Sequence, residues 1–303
     1  MFLDERDLKL VSAAESGNVS LVKKLLDAGA DPSASVLDGD CALIAAARAG
    51  SPTICTALLA RGADVNRAGF KHQYPLHHAA LSNHLAVVCL LLQNGASINV
   101  EDSFGRTPLH YAASDGSAQV VKELFDFQAK CTRDGEGNTP LHVAALAGKP
   151  QVVLLMMTRL DFRMRIDAAN EDGKTSLHLS LENTDKDNRL NRYEVARILL
   201  NHGASRRLTD SEGKLPAITE ELEIYFDSPA ARQAAVQASK HKPKTATTPR
   251  RLIHLSSSNP QDSILSDRFS LPRGKSVIGP SSLAVDKVEQ DLFGSDSETT
   301  RDD

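Results

Sequence analysis

The sequence predicts an all-α repeat solenoid, built of stacked helix-turn-helix units with projecting hairpin loops and followed by a disordered C-terminal tail. Three observations carry this prediction. A short motif recurs along the chain, as "CALIAAARAG" at 41–50, "YPLHHAALSN" at 74–83, "RTPLHYAASDG" at 106–116, "NTPLHVAALAG" at 138–148 and "KTSLHLSLEN" at 174–183. The recurrence is close to periodic. With the position after the motif's leucine as a ruler, Val11, Ile44, His77, His110, His142, His178 and Ile218 follow one another at intervals of 33, 33, 33, 32, 36 and 40 residues. A second apolar run follows the motif, such as "AVVCLLLQ" from Ala86 to Gln93, and a glycine closes it at Gly29, Gly62, Gly95 and Gly203. Units of this length bury their apolar faces only against their neighbours, so the core runs along the stack.

The first unit, residues 1–34, lacks a preceding loop and is expected to cap the stack. Five full repeats are expected over 35–209. Within them Thr107 and Thr139 stand before a proline, so a hydroxyl is placed to cap free amides while the proline takes the first helical position, where no donor is required. Leucine then points inward, and paired alanines allow close approach of the neighbouring repeat. Gly17, Gly50, Gly116 and Gly148 end the first helix, and the second returns antiparallel with a buried leucine face. The polar "DSFG" and "NEDG" stretches carry turn residues and project as fingers.

Departures from the pattern mark the individual features. Gln128 and Leu160 replace the glycine that closes the second helix, and "RLDFRMRIDAANED" runs longer than a normal close, so these junctions are expected to be irregular. In the sixth unit "ENTDKDNRLNRYE", residues 182–194, inserts polar residues between the two helices. Extended helix ends or a protruding loop are expected there, serving either as a tolerated surface insertion or as a docking element. In the third unit Tyr74 replaces the usual threonine and His72 the usual turn glycine, which makes that finger irregular. Residues 210–240 are expected to form C-terminal capping helices, because a solenoid must cover its apolar end. Residues 241–303 are rich in serine, proline and charge, end in acids and show no sustained period, so disorder is expected.

The T-P-L-H-x-A-A core, the downstream glycine, the V-V-x-L-L second helix and the G-A-D-V-N close together resemble the ankyrin-repeat family over roughly residues 5 to 215. The resemblance implies that fingers and adjacent first-helix faces line a concave surface. It also implies a noncatalytic protein–protein interaction adaptor or scaffold. Two alternatives stay open: a nuclear regulatory subunit of a transcription or chromatin complex, and an assembly chaperone or regulatory subunit of an enzyme.

Residue chemistry bears on the other classes. The ruler position is held by histidine in four units and by hydrocarbon in others, which a metal ligand or general base would not tolerate. His77, His110, His142 and His178 are expected about 8–10 Å apart, too far for neighbours to share one ion. A neutral imidazole bonded to the helix entrance is the expected role. Cys41, Cys55, Cys89 and Cys131 are scattered without a C-x-x-C pair and are read as reduced packing thiols. The sequence contains no P-loop, dinucleotide glycine pattern or nucleophile elbow, so no catalytic, cofactor-binding or metal-binding residue is assigned. With a formal net charge of −4, direct nucleic-acid binding is not expected. No apolar stretch is long enough to insert in a membrane, so a cytoplasmic and/or nuclear protein, monomeric on its own, is expected.

Aligning the units places Leu37, Phe70, Lys71, His72, Phe104, Arg106, Glu136 and Asn138 around finger tips, with His78, Leu81, Tyr111, Ser114 and Leu146 toward the first helices. These are the candidate protein-binding residues. Phe70, Phe104 and Tyr111 would form an aromatic anchor set if exposed, since a few buried aromatics carry much of an interface's energy; packing between fingers is the alternative. In the tail, Leu292 and Phe293 among acids suit docking into a basic-rimmed groove. Thr248 before Pro249 and Ser295 beside the acids are candidate phosphorylation sites.

Overall fold

A computed structural model of the protein describes residues 5–35, 39–182 and 188–218. These lie in the first of two units into which the chain divides, Met1–Lys242; the second, Pro243–Asp303, lies outside the described residues. The capping helices expected at 210–240 are outside from residue 219 on, as are Leu37 and the tail positions Thr248, Leu292, Phe293 and Ser295.

Among the described residues the regular structure is helical, with two isolated bridges, Ser35 to Cys41 and Ala169 to Thr175. Six helix pairs follow the expected order: α1 Glu5–Glu15 with α2 Val19–Asp27, α3 Ala42–Ala49 with α4 Pro52–Ala60, α5 Pro75–Leu81 with α6 Leu85–Gln93. Then come α7 Pro108–Asp115 with α8 Ala118–Asp126, α9 Pro140–Leu146 with α10 Pro150–Met157, a one-turn α11 at Leu160–Arg163, and α12 Ser176–Glu182 with α13 Arg189–Asn201. Prolines open α4, α5, α7, α9 and α10, where their missing donors cost nothing. Side-chain oxygens cap two second helices, Asn18 to the Leu21 amide at 3.1 Å and Ser117 to the Val120 amide at 3.3 Å.

The pairs stack into two layers. First helices pack in the series α1, α3, α5, α7, α9, α12 and second helices in the series α2, α4, α6, α8, α10, α13. Between them lies one ribbon of core, in which Leu43, Leu76, Leu109 and Leu141 from first helices meet Leu58, Leu91 and Leu124 from second helices, all fully buried. Ala79, Ala80, Ala112, Ala113, Ala144 and Ala145 are wholly covered, because only a methyl fits where first helices touch.

The irregular junctions have particular forms. Gln128 takes the left-handed conformation of the closing glycines, with φ 68°, and Asn83 does so at the end of α5, with φ 57°. The long junction after α10 is α11, whose Phe162 is fully buried with its ring 5.6 Å from that of Phe125. Of the 182–194 insertion, residues 183–187 are outside the description, and the rest lengthens α13 to 13 residues where α2, α4, α6 and α8 have 9. Asn188 reaches back to the previous repeat and donates to the Ala147 carbonyl at 2.9 Å, and the buried Arg192 donates to Leu179 at 2.6 Å.

Candidate functional site

The fingers are organised by a carboxylate or amide five residues before the helix-opening threonine. Asp102 Oδ1 accepts from the amides of Phe104 at 2.8 Å and Arg106 at 2.9 Å, closing the loop on itself. Asp134 does the same for Glu136 and Asn138, and Asp210 for Glu212 and Lys214. Each finger then donates to the carbonyl of its predecessor: Ser103 to Lys71 at 2.9 Å, Gly135 to Phe104 at 2.7 Å, Glu171 to Glu136 at 3.0 Å and Ser211 to Asp172 at 2.9 Å. The tips are thereby tied into a row. The motif residues alone do not single out Asp102, Asp134 or Asp210; the signal that marks them is the D-x-x-G at 102–105, 134–137 and 210–213.

The histidines join this row to the helices. In the fourth unit the Thr107 amide donates to His110 Nδ1 at 3.1 Å, and Nε2–H donates to the Asn138 carbonyl of the next finger at 3.1 Å. His77 bridges Tyr74 to Arg106, His142 bridges Thr139 to Lys174, and His178 bridges Thr175 to Lys214 in the same way. Both ring nitrogens are thus spent on backbone, which requires the neutral ring. Burial pushes His77, His78, His110 and His142 down to about 4, against partial compensation from the carbonyls that His77, His110 and His142 donate to. The expected helix-entrance bond is present, and the link to the next finger adds to it. The threonine hydroxyls lie against the same Nδ1 atoms, 2.9 Å away for Thr107 and 2.8 Å for Thr139.

The third finger breaks the scheme. Gly69 stands where the loop carboxylate would be, and the Phe70 amide turns instead to Asp40 of the previous finger at 3.2 Å. Lys71 and His72 follow with φ 52° and 56°, two consecutive non-glycine residues in the left-handed region. Such backbone costs energy and persists only where the surroundings impose it. The result is a ridge of alternating rings and cations: Lys71 Nζ lies 5.6 Å from the Phe70 centroid and 5.0 Å from that of Phe104, and the Arg106 guanidinium lies 4.5 Å from Phe104. Phe70 and His72 are exposed, and Lys71, Phe104 and Arg106 are half-buried.

Three candidate residues are corrected. Tyr111 is only 6% exposed, its hydroxyl donating to Asp102 at 2.6 Å and accepting from Gln73 at 2.8 Å, so it braces the ridge from beneath and is no exposed anchor. Its phenol is raised by burial. Asn138 is buried between fingers, donating to Glu136 and accepting from Asn170 at 2.9 Å. His78 is buried on the first-helix face, in the field of Asp40 and Arg48. Glu136, Leu81, Ser114 and Leu146 are half-exposed. The two readings of the aromatics divide by residue: Phe104 packs between fingers against Lys71 and Arg106, and Phe70 faces outward.

The four cysteines are free thiols; Cys41, Cys55 and Cys131 are buried, and burial pushes Cys55 up to about 12. Among the described residues no group of three His, Cys, Asp or Glu side chains converges on a point, and no helix is long and apolar enough to cross a membrane.

A family model described as ankyrin repeats (3 copies) matches residues 10–102 and 96–165. No curated protein matches the chain.

Proposed function

The chain belongs to the ankyrin-repeat family, whose repeats are in general protein-interaction modules, and from that premise we propose a noncatalytic adaptor that grips a partner protein with the third and fourth fingers. The observation that carries this reading is the strained ridge. Two left-handed non-glycine residues, Lys71 and His72, hold the exposed Phe70 ring beside a cation, while Phe104 is clamped between Lys71 and Arg106. A fold does not need a strained tip at this place, since the fourth and fifth fingers reach the same turn with Gly105 and Gly137. Rigid aromatics beside guanidinium and ammonium groups are the residue types that dominate protein interfaces. A preorganised ridge also avoids the ordering cost that a flexible loop would meet on binding.

The bridging histidines support the noncatalytic part of the reading, because their nitrogens are consumed by backbone bonds, and burial keeps His77, His110 and His142 from exchanging protons near neutrality. The adaptor role further requires a second attachment, for which the acidic tail with Leu292 and Phe293 is the candidate. Site-specific photo-crosslinking tests the surface. A photoreactive residue at Phe70 should capture a discrete partner in cells, while the same group at the exposed Gln93, on the second-helix layer, should not. Equal capture at both positions would refute the finger site.

A further inference from the structure

Residues 160–164 form a second exposed feature, on the second-helix layer and away from the finger row. The interval from His142 to His178 is 36 residues where 33 is usual, and the excess falls between α10 and α12. It is folded as α11, which packs on α10. Phe162 inserts into the core against Phe125, and the Arg159 guanidinium lies 4.8 Å from the Phe125 centroid, so the turn is firmly seated. Its outer side is then left with Leu160 and Met164, which are 71% and 78% exposed. Spaced i and i+4, they stand next to each other on one side of the turn. Between them lies an open depression of ≈ 520 Å³ lined by Arg159, Leu160, Asp161 and Met164.

Basic residues flank the turn: Arg163 is exposed and has no acidic partner among the described residues, and the exposed Arg165 donates at 3.0 Å to the carbonyl of Cys131, whose neighbour in the chain is the exposed Lys130. Asp161 is neutralised by Arg159 at 3.2 Å. We propose that this turn is a docking site for an acidic peptide segment of a partner protein that carries two neighbouring large apolar side chains. The apolar pair covers Leu160 and Met164, and the flanking carboxylates meet Arg163, Arg165 and Lys130. A second copy presenting the same turn is a poor occupant, because it would set arginines against arginines. An anionic membrane is disfavoured because α11 is a four-residue turn carrying two exposed apolar side chains, too small an apolar face to hold a bilayer surface. The proposal is independent of the finger site.

Fluorescence anisotropy on the full chain tests it, with a labelled probe peptide in which a Leu-Phe pair is flanked by Asp and Glu. Saturable binding is expected, weakened by added salt and reduced on the order of tenfold or more by Leu160→Ser with Met164→Ser. Arg163→Glu should weaken it also, while Phe70→Ala with Phe104→Ala should leave it unchanged. Because Leu160, Met164 and Arg163 are exposed, circular dichroism of the α11 variants should show the same folded chain. Absence of binding, binding indifferent to the α11 substitutions, or binding lost with the finger substitutions would overturn the proposal. So would vesicles of phosphatidylserine and phosphatidylcholine, or a second copy of the chain, engaging Leu160 and Met164 while the peptide does not.

Discussion

At the scale of single residues, the same slot serves two chemistries. Where the following finger presents a carbonyl, histidine links repeats; in the second unit Ile44 fills the slot, packed against Gly69. Replacing His142 by alanine leaves the Thr139 amide and the Lys174 carbonyl without their partner, and should cost about 2–4 kcal/mol, read from a urea unfolding curve. Titration follows from burial. An unfolded histidine takes a proton near pH 6.5, whereas His77, His78, His110 and His142 refuse it down to about 4. Their contribution is therefore complete above pH 6.5 and lost as pH falls toward 4, on the order of 3 kcal/mol for a ring such as His110 or His142. Asp134 and Glu136, raised by burial, work in the opposite sense and offset part of the loss. Urea midpoints should fall steeply across that window, and the slope should lessen in His142→Ile; a midpoint independent of pH would contradict the linkage. Backbone strain gives a further prediction. Lys71→Gly with His72→Gly should stabilise the chain by about 1 kcal/mol or more and at the same time weaken partner capture. A gain in stability with undiminished capture would show the strained tip to be incidental.

At the scale of elements, regular units were legible and junctions were not. Helix pairs follow from local signals: proline at the first position, alanine where helices touch, glycine at the turn. The burial of Tyr111 was hidden because it depends on Gln73, 38 residues away, as well as on the nearby Asp102. Asn138 was misplaced for the same reason, its partner Asn170 lying 32 residues on. In the long junction, the sequence shows that Leu160 replaces a glycine but not that Phe162 would turn inward and lever α11 onto α10. Phe162→Ala removes that lever and should cost about 3–5 kcal/mol. Thermal unfolding should show the loss; a melting temperature within a degree of the parent would mean that α11 is not held through Phe162. In the insertion, the sequence reads as extended helix ends or a protruding loop; the described part lengthens α13, and nothing in the sequence marks the reach of Asn188 back to Ala147.

At the scale of the molecule, the proposed reading places stability and recognition in different residues. The leucine ribbon, the alanine contacts and the histidine bridges repeat with the period of the chain, and they make the stack. Phe70, Lys71, His72 and the exposed side of α11 break the period, and they set their units apart from the neighbouring repeats. A solenoid permits this division, since each unit answers mainly to its neighbours. The separation is open to a direct test by measuring, on the same preparations, thermal unfolding and quantitative affinity capture for the parent chain and for Phe70→Ala with Phe104→Ala. The account predicts that the principal partner is lost while the melting temperature stays near that of the parent. Capture that survives the substitutions, or that falls only together with the melting temperature, would contradict it.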